Sequence, residues 1–156
     1  MIFGIIFTII VMGAIIAFGW PEIAKVIGLG EESKVLKDID NLNKKIDSLY
    51  RLAEGSEDHF KLSFSTDYKL CFFNSSNPAS RYYSQRSMIW NPGTTTKYLI
   101  NSSHYNIWYY NGQDESAGQG KRIPYLDMPT ENNFCTPGGT TLYLVKKYDW
   151  VEVEPA

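Results

Sequence analysis

Residues 59–65, HFKLSFS, set the reading of this chain. Phe60, Leu62 and Phe64 alternate with Lys61 and Ser63, and a period of two places the two sets on opposite faces of a strand. Working outward, YKLCFFN (68–74), TKYLIN (96–101), YNIWYYN (105–111), TTLYLVKK (140–147) and YDWVEVE (148–154) continue the pattern. Turn-forming stretches separate them: Asn77-Pro78, Asn91-Pro92-Gly93, Asn111-Gly112 and Pro137-Gly138-Gly139. Short strands at this spacing predict a small antiparallel sheet or sandwich, a β-rich exterior head over residues 57–156. The polar, glycine-rich GQDESAGQGK (112–121) is expected to be a surface loop. It lacks the Lys-Ser/Thr pair of a phosphate cradle.

On the N-terminal side the period becomes helical. In residues 31–56, Leu36, Ile39, Leu42, Ile46, Leu49 and Tyr50 recur every three or four positions, with Lys, Asp and Asn between them. Glu31 and Glu32 suit a helix N-terminus and Gly55 a C-terminal stop. The expected element is an amphipathic helical stalk over residues 21–56. Its stripe must be covered, either by its own head or by neighbouring copies.

Residues 1–20 carry no charge and match the length of a bilayer-spanning helix. The run has no basic leader and no small-x-small cleavage site, so it reads as a retained segment and not a removed signal. Ile9, Gly13 and Ala17 are candidates for close helix–helix approach. Pro21 kinks a continuing helix or opens a new one. The fold class expected is therefore α+β: a long N-terminal helix (membrane or filament core), then a small antiparallel β-sheet or sandwich domain.

Cys71 and Cys135 form no CxxC motif. They are either two buried free thiols or one bridge closing a loop of about 64 residues. The sequons Asn74-Ser75-Ser76 and Asn101-Ser102-Ser103 make both asparagines candidate glycosylation sites. An apolar opening, two sequons and a possible bridge agree on an exterior head, and there the bridge is the expected state.

Candidate chemistry is sparse. The net charge of -2 gives no basic stripe for nucleic acid. His59 and His104 stand without spaced carboxylate or cysteine partners, so no metal site is expected. No Gly-x-Ser-x-Gly occurs, and Asp114 and Glu115 are adjacent and do not face each other as an acid/base pair. Trp108, Tyr109 and Tyr110, with Trp90, are expected to pack in the β core and not on sugars. No catalytic residue and no cofactor are expected.

This organisation resembles the type IV pilin superfamily: an apolar N-terminal segment, a proline at position 21, an amphipathic continuation and a small β-rich head. Ile5 stands where bacterial members carry a glutamate, which directs the resemblance to archaeal surface proteins with two-cysteine β heads. The resemblance implies a structural subunit of a pilus-like filament, membrane-held before assembly and then a homopolymer through its N-terminal helices. The alternative is a single-pass anchored exterior protein, an accessory or binding subunit of an envelope complex.

Overall fold

A computed structural model describes residues 11–13, 30–74, 104–112, 114–128 and 133–155. The chain divides into two compact units, Met1–Lys34 and Val35–Ala156. In the first, residues 11–13 are helical and expose Val11 and Met12. Ile9, Ala17 and Pro21 lie outside the described residues. A helix, α1, covers residues 30–50.

The second unit is built on two antiparallel sheets. β1 (Glu57–Lys61), β6 (Thr141–Lys146) and β7 (Val151–Pro155) form the first, in the order β1-β6-β7. The second contains β2 (Tyr68–Phe72), β3 (Ile107–Asn111), β4 (Gln119–Lys121) and β5 (Phe134–Pro137), in the order β4-β3-β2-β5. β6 alternates as a half-buried strand should, with Leu142, Leu144 and Lys146 inward. β3 does not, because Ile107, Trp108, Tyr109 and Tyr110 are all buried. A strand covered on both faces needs a continuous apolar run. Leu70, Phe72, Ile107 and Tyr109 join the main core, while Cys71, Phe73, Trp108 and Tyr110 form a second cluster on the other face.

The α+β expectation with a long N-terminal membrane or filament-core helix is corrected. The fold is mostly β, with two antiparallel sheets of three and four strands and one described helix of 21 residues. Among the described residues no helix is long and apolar enough to cross a membrane. The reason is visible in α1, where one face is apolar and the rest carries Lys37, Asp40, Lys44 and Asp47.

The stripe of α1 is Val35, Ile39, Leu42, Ile46 and Leu49, each at most 4% exposed and part of the main core. Val35 enters in place of Leu36, which is half-buried. Each such side chain removed from water stabilises by about 1.5–3 kcal/mol. Polar ties hold the helix in register. Buried Asp38 accepts from the Ser63 amide at 2.5 Å and its hydroxyl at 2.8 Å, and Lys45 donates to His59 O at 2.6 Å. The stalk helix is thus part of the head. It ends at Tyr50, five residues before Gly55, whose amide instead donates to Lys146 O at 2.8 Å.

The passage from β5 to β6 carries the chain from one sheet to the other through Gly138-Gly139. A Cβ on Gly138 would lie 2.1 Å from Phe64 O, so backbone meets backbone only because that atom is missing. GQDESAGQGK differs from the expected loop. It contains a short 3-10 turn, Glu115–Ala117, capped by Asp114, and strand β4 paired to β3.

Candidate functional site

The two cysteines are bridged. Cys71 in β2 stands directly opposite Cys135 in β5, so the sheet register brings together residues 64 positions apart. Both are buried beside Trp108 and Phe73. Asn74, at the end of the same run, donates its side-chain amide to Met128 O, and its backbone amide donates to Asn133 Oδ1 at 2.8 Å. Its nitrogen is therefore already engaged where a glycan would attach. Asn101 lies outside the described residues. Gly13 is helical and a Cβ there would meet open space.

The remaining sequence candidates are dispersed. His59 packs edge-on against Tyr143 at 4.8 Å, and exposed His104 sits at φ 52. Asp114 caps the 3-10 turn. Trp108, Tyr109 and Tyr110 are buried in the sheet, as their packing role requires. Trp90 lies outside the described residues. Among the described residues no group of three His, Cys, Asp or Glu side chains is placed to hold a metal. A polar, open cleft lined by Thr66, Asp67, Lys69, Asn111 and Gly112 contains no nucleophile–base pair.

One end of the β unit is different. There the C-terminus of α1, the β6–β7 turn and the loop of residues 123–127 meet. Tyr50 on α1 stacks on Tyr125, with ring centroids 3.9 Å apart and planes 12° from parallel. The Lys146 ammonium lies 4.0 Å from the Tyr50 centroid. Two groups at that distance must occupy opposite faces, so Tyr50 is held between a cation and a ring. Lys146 is buried, and its ammonium also donates to Tyr148 O at 2.7 Å.

Tyr125 occupies a conformation a bulky residue rarely adopts, φ 62. The surroundings over-determine it. Buried Asn106 donates to Ile123 O and Leu126 O, both at 2.8 Å, and accepts from Ile123 N at 2.8 Å, clamping the chain on each side. Val151 N donates to Tyr125 O at 2.7 Å, and Asp127 N donates to Val151 O at 3.3 Å. Strain fixed this firmly on an exposed aromatic is a mark of a preorganised site. Tyr125 is 45% exposed, Trp150 37%, Tyr148 75% and Leu52 58%. These exposed side chains lie on the segments that converge at this end, which makes it the candidate interaction surface.

The sequence offers two cues to this end: Pro124 before Tyr125, which marks a turn, and the unusually aromatic tip YDW (148–150). Neither reveals Asn106, whose role depends on a segment 17 residues away.

The Lys45–Asp58 pair beside the first sheet is partly exposed. Burial raises the Asp58 carboxyl, but hydrogen bonds from Lys45 and the His59 amide outweigh it and hold the group below its ordinary value of 3.8. The Ser116 hydroxyl and amide hold Asp114 below the same value. Tyr143 is raised by its hydrogen bond to Glu57. A carboxyl lowered in the folded state contributes stability above its unfolded pKa and loses it as pH falls through the folded one. The urea midpoint is therefore expected to fall as the pH drops below about 4. Asp58→Asn should flatten part of that slope, which urea melts in this range would measure.

Comparison of the chain with family models, with curated proteins and with solved structures finds no match to any of them.

Proposed function

We propose that this chain is an anchored exterior protein whose β unit is a non-catalytic binding head, acting as an accessory or binding subunit of an envelope complex. The observation that carries the reading is the aromatic end. The β unit buries the whole α1 stripe in its own core, yet leaves Tyr148 and Trp150 exposed, and Tyr125 exposed on the Asn106 clamp and the Tyr50 stack. The uncharged run of residues 1–20 supplies the anchor, and the disulfide is in keeping with an oxidising exterior. Glycosylation at Asn101 belongs to the same reading, while the Asn74 amide is held on Met128 O.

Exposed Val11 and Met12 favour a second reading, a pilus-like subunit whose apolar segment is covered by like segments of other copies. Both readings place apolar surface in a water-free setting, and they differ in what covers it. Gly13→Asp separates them. An isolated charge costs about 2.5–3.5 kcal/mol on the insertion scale, which the rest of the apolar run can carry. Under the first reading the variant is expected to remain with membranes, protease added outside the cell digests the head, and sheared native cells yield no filaments. Filaments built from the unmutated chain and lost in Gly13→Asp would replace the first reading with the second. A head protected from external protease would overturn both.

A further inference from the structure

We infer that the aromatic end is a carbohydrate-binding platform, with the free face of Tyr125 as the surface on which a neutral pyranose ring stacks. The inference rests on the reading of the β unit as a binding head and names its ligand class. A sugar is amphipathic: its axial C–H groups form an apolar face, and its hydroxyls ring the edge. The platform has the matching arrangement. Tyr125 is backed by Tyr50 and fixed by the Asn106 clamp, so little freedom is lost when a ring settles on it. Beside it, the β6–β7 turn carries Tyr148, Asp149 and Trp150. The Trp150 indole N–H, the Tyr125 and Tyr148 hydroxyls and the Asp149 carboxylate make no hydrogen bond among the described residues. They are donors and acceptors available to sugar hydroxyls.

Charge argues against the other occupants. At the β6–β7 turn an anionic lipid headgroup or phosphate finds no free cation, since Lys146 is buried on Tyr148 O and Lys147 is paired with Glu152 at 3.4 Å. Asp149 at the tip adds repulsion. A cationic ligand meets the Lys146 charge already beneath the stack. A neutral, hydroxyl-rich ring meets neither obstacle.

The test uses the full chain in nanodiscs of neutral lipid, titrated calorimetrically with cellohexaose, maltohexaose, mannohexaose and chitohexaose. At least one is expected to bind with a Kd below about 1 mM. Tyr125→Ala should weaken that binding about tenfold, and Tyr125→Phe, which keeps the ring, by no more than about twofold. Because Tyr125→Ala also disturbs the Tyr50 stack, Tyr148→Ala serves as a second variant. That ring is 75% exposed, so its loss leaves folding intact and should still weaken binding. Binding to none of the four sugars overturns the inference, as does binding indifferent to all these variants. Attachment to phosphatidylserine vesicles that is lost in Tyr148→Ala would also overturn it and assign the surface to lipid. These outcomes are distinct from failure of the exterior reading, which external protease decides without any sugar.

Discussion

Reduction of the Cys71–Cys135 bridge is expected to lower the unfolding free energy by about 4 kcal/mol. The bridge closes a loop of 64 residues, and the chain-entropy relation gives about that value. For a unit of this size the thermal midpoint should drop by roughly 10–20 °C. The link ties β5, the edge strand of the second sheet, to its neighbour β2, in a cluster with Trp108 and Phe73. Reduced protein should therefore remain folded at low temperature, held by the ladder, and melt early. Calorimetry with and without reductant, with alkylation to verify two free thiols, checks this. An unchanged midpoint in fully alkylated protein would overturn the chain-entropy expectation for this bridge.

Leu42→Ala is the second large effect, expected at about 2–5 kcal/mol. Leu42 has no exposed surface and sits at the centre of the α1 stripe within the main core. Truncation there removes apolar burial and leaves a cavity bounded by side chains of both sheets. A free stalk would respond in the opposite way, since alanine is the better helix former and an exposed leucine contributes no packing. Lys44→Ala, on the outer face in an exposed pair with Asp40, should change stability by less than about 0.5 kcal/mol. Urea titration of the two variants side by side tests whether α1 belongs to the head. Equal, small effects would detach it.

Where the two expectations about covering the stripe diverged, packing decided. From residues 31–56 alone, an amphipathic helix satisfied by its own head and one satisfied by its neighbours look the same. The choice follows from the loop of residues 62–67, which brings Ser63 to Asp38, and from β1, which brings His59 O to Lys45. These are contacts across 25 and 14 positions. The aromatic end was equally hidden. Periodicity distinguishes inward from outward residues on one strand, but it does not tell which separate segments converge. Tyr50, Tyr125 and Tyr148 read as ordinary aromatics of a β-rich chain until the fold assembles them.

By itself the sequence placed the strands read at 68–74, 105–111 and 140–147 close to β2, β3 and β6, because alternation, aromatic content and turn residues are local properties. The strands read at 59–65 and 148–154 overlap β1 and β7 only in part, and 96–101 lies outside the described residues. It also determined the amphipathic helix and the pairing expected of its two cysteines. It missed β4, whose Gln-Gly-Lys has no strand propensity and exists only as an edge partner of β3, and β5, whose Pro137 reads as a turn residue. Its α+β fold class is corrected because the described residues pack as two sheets of three and four strands with one helix of 21 residues. Only the tertiary structure decided that Cys135 faces Cys71 across a ladder, that α1 seals the core between two sheets, and that Asn106 holds Tyr125 in a strained, exposed pose. Each of these rests on free energy gained between residues far apart in the chain, and no local pattern carries that information.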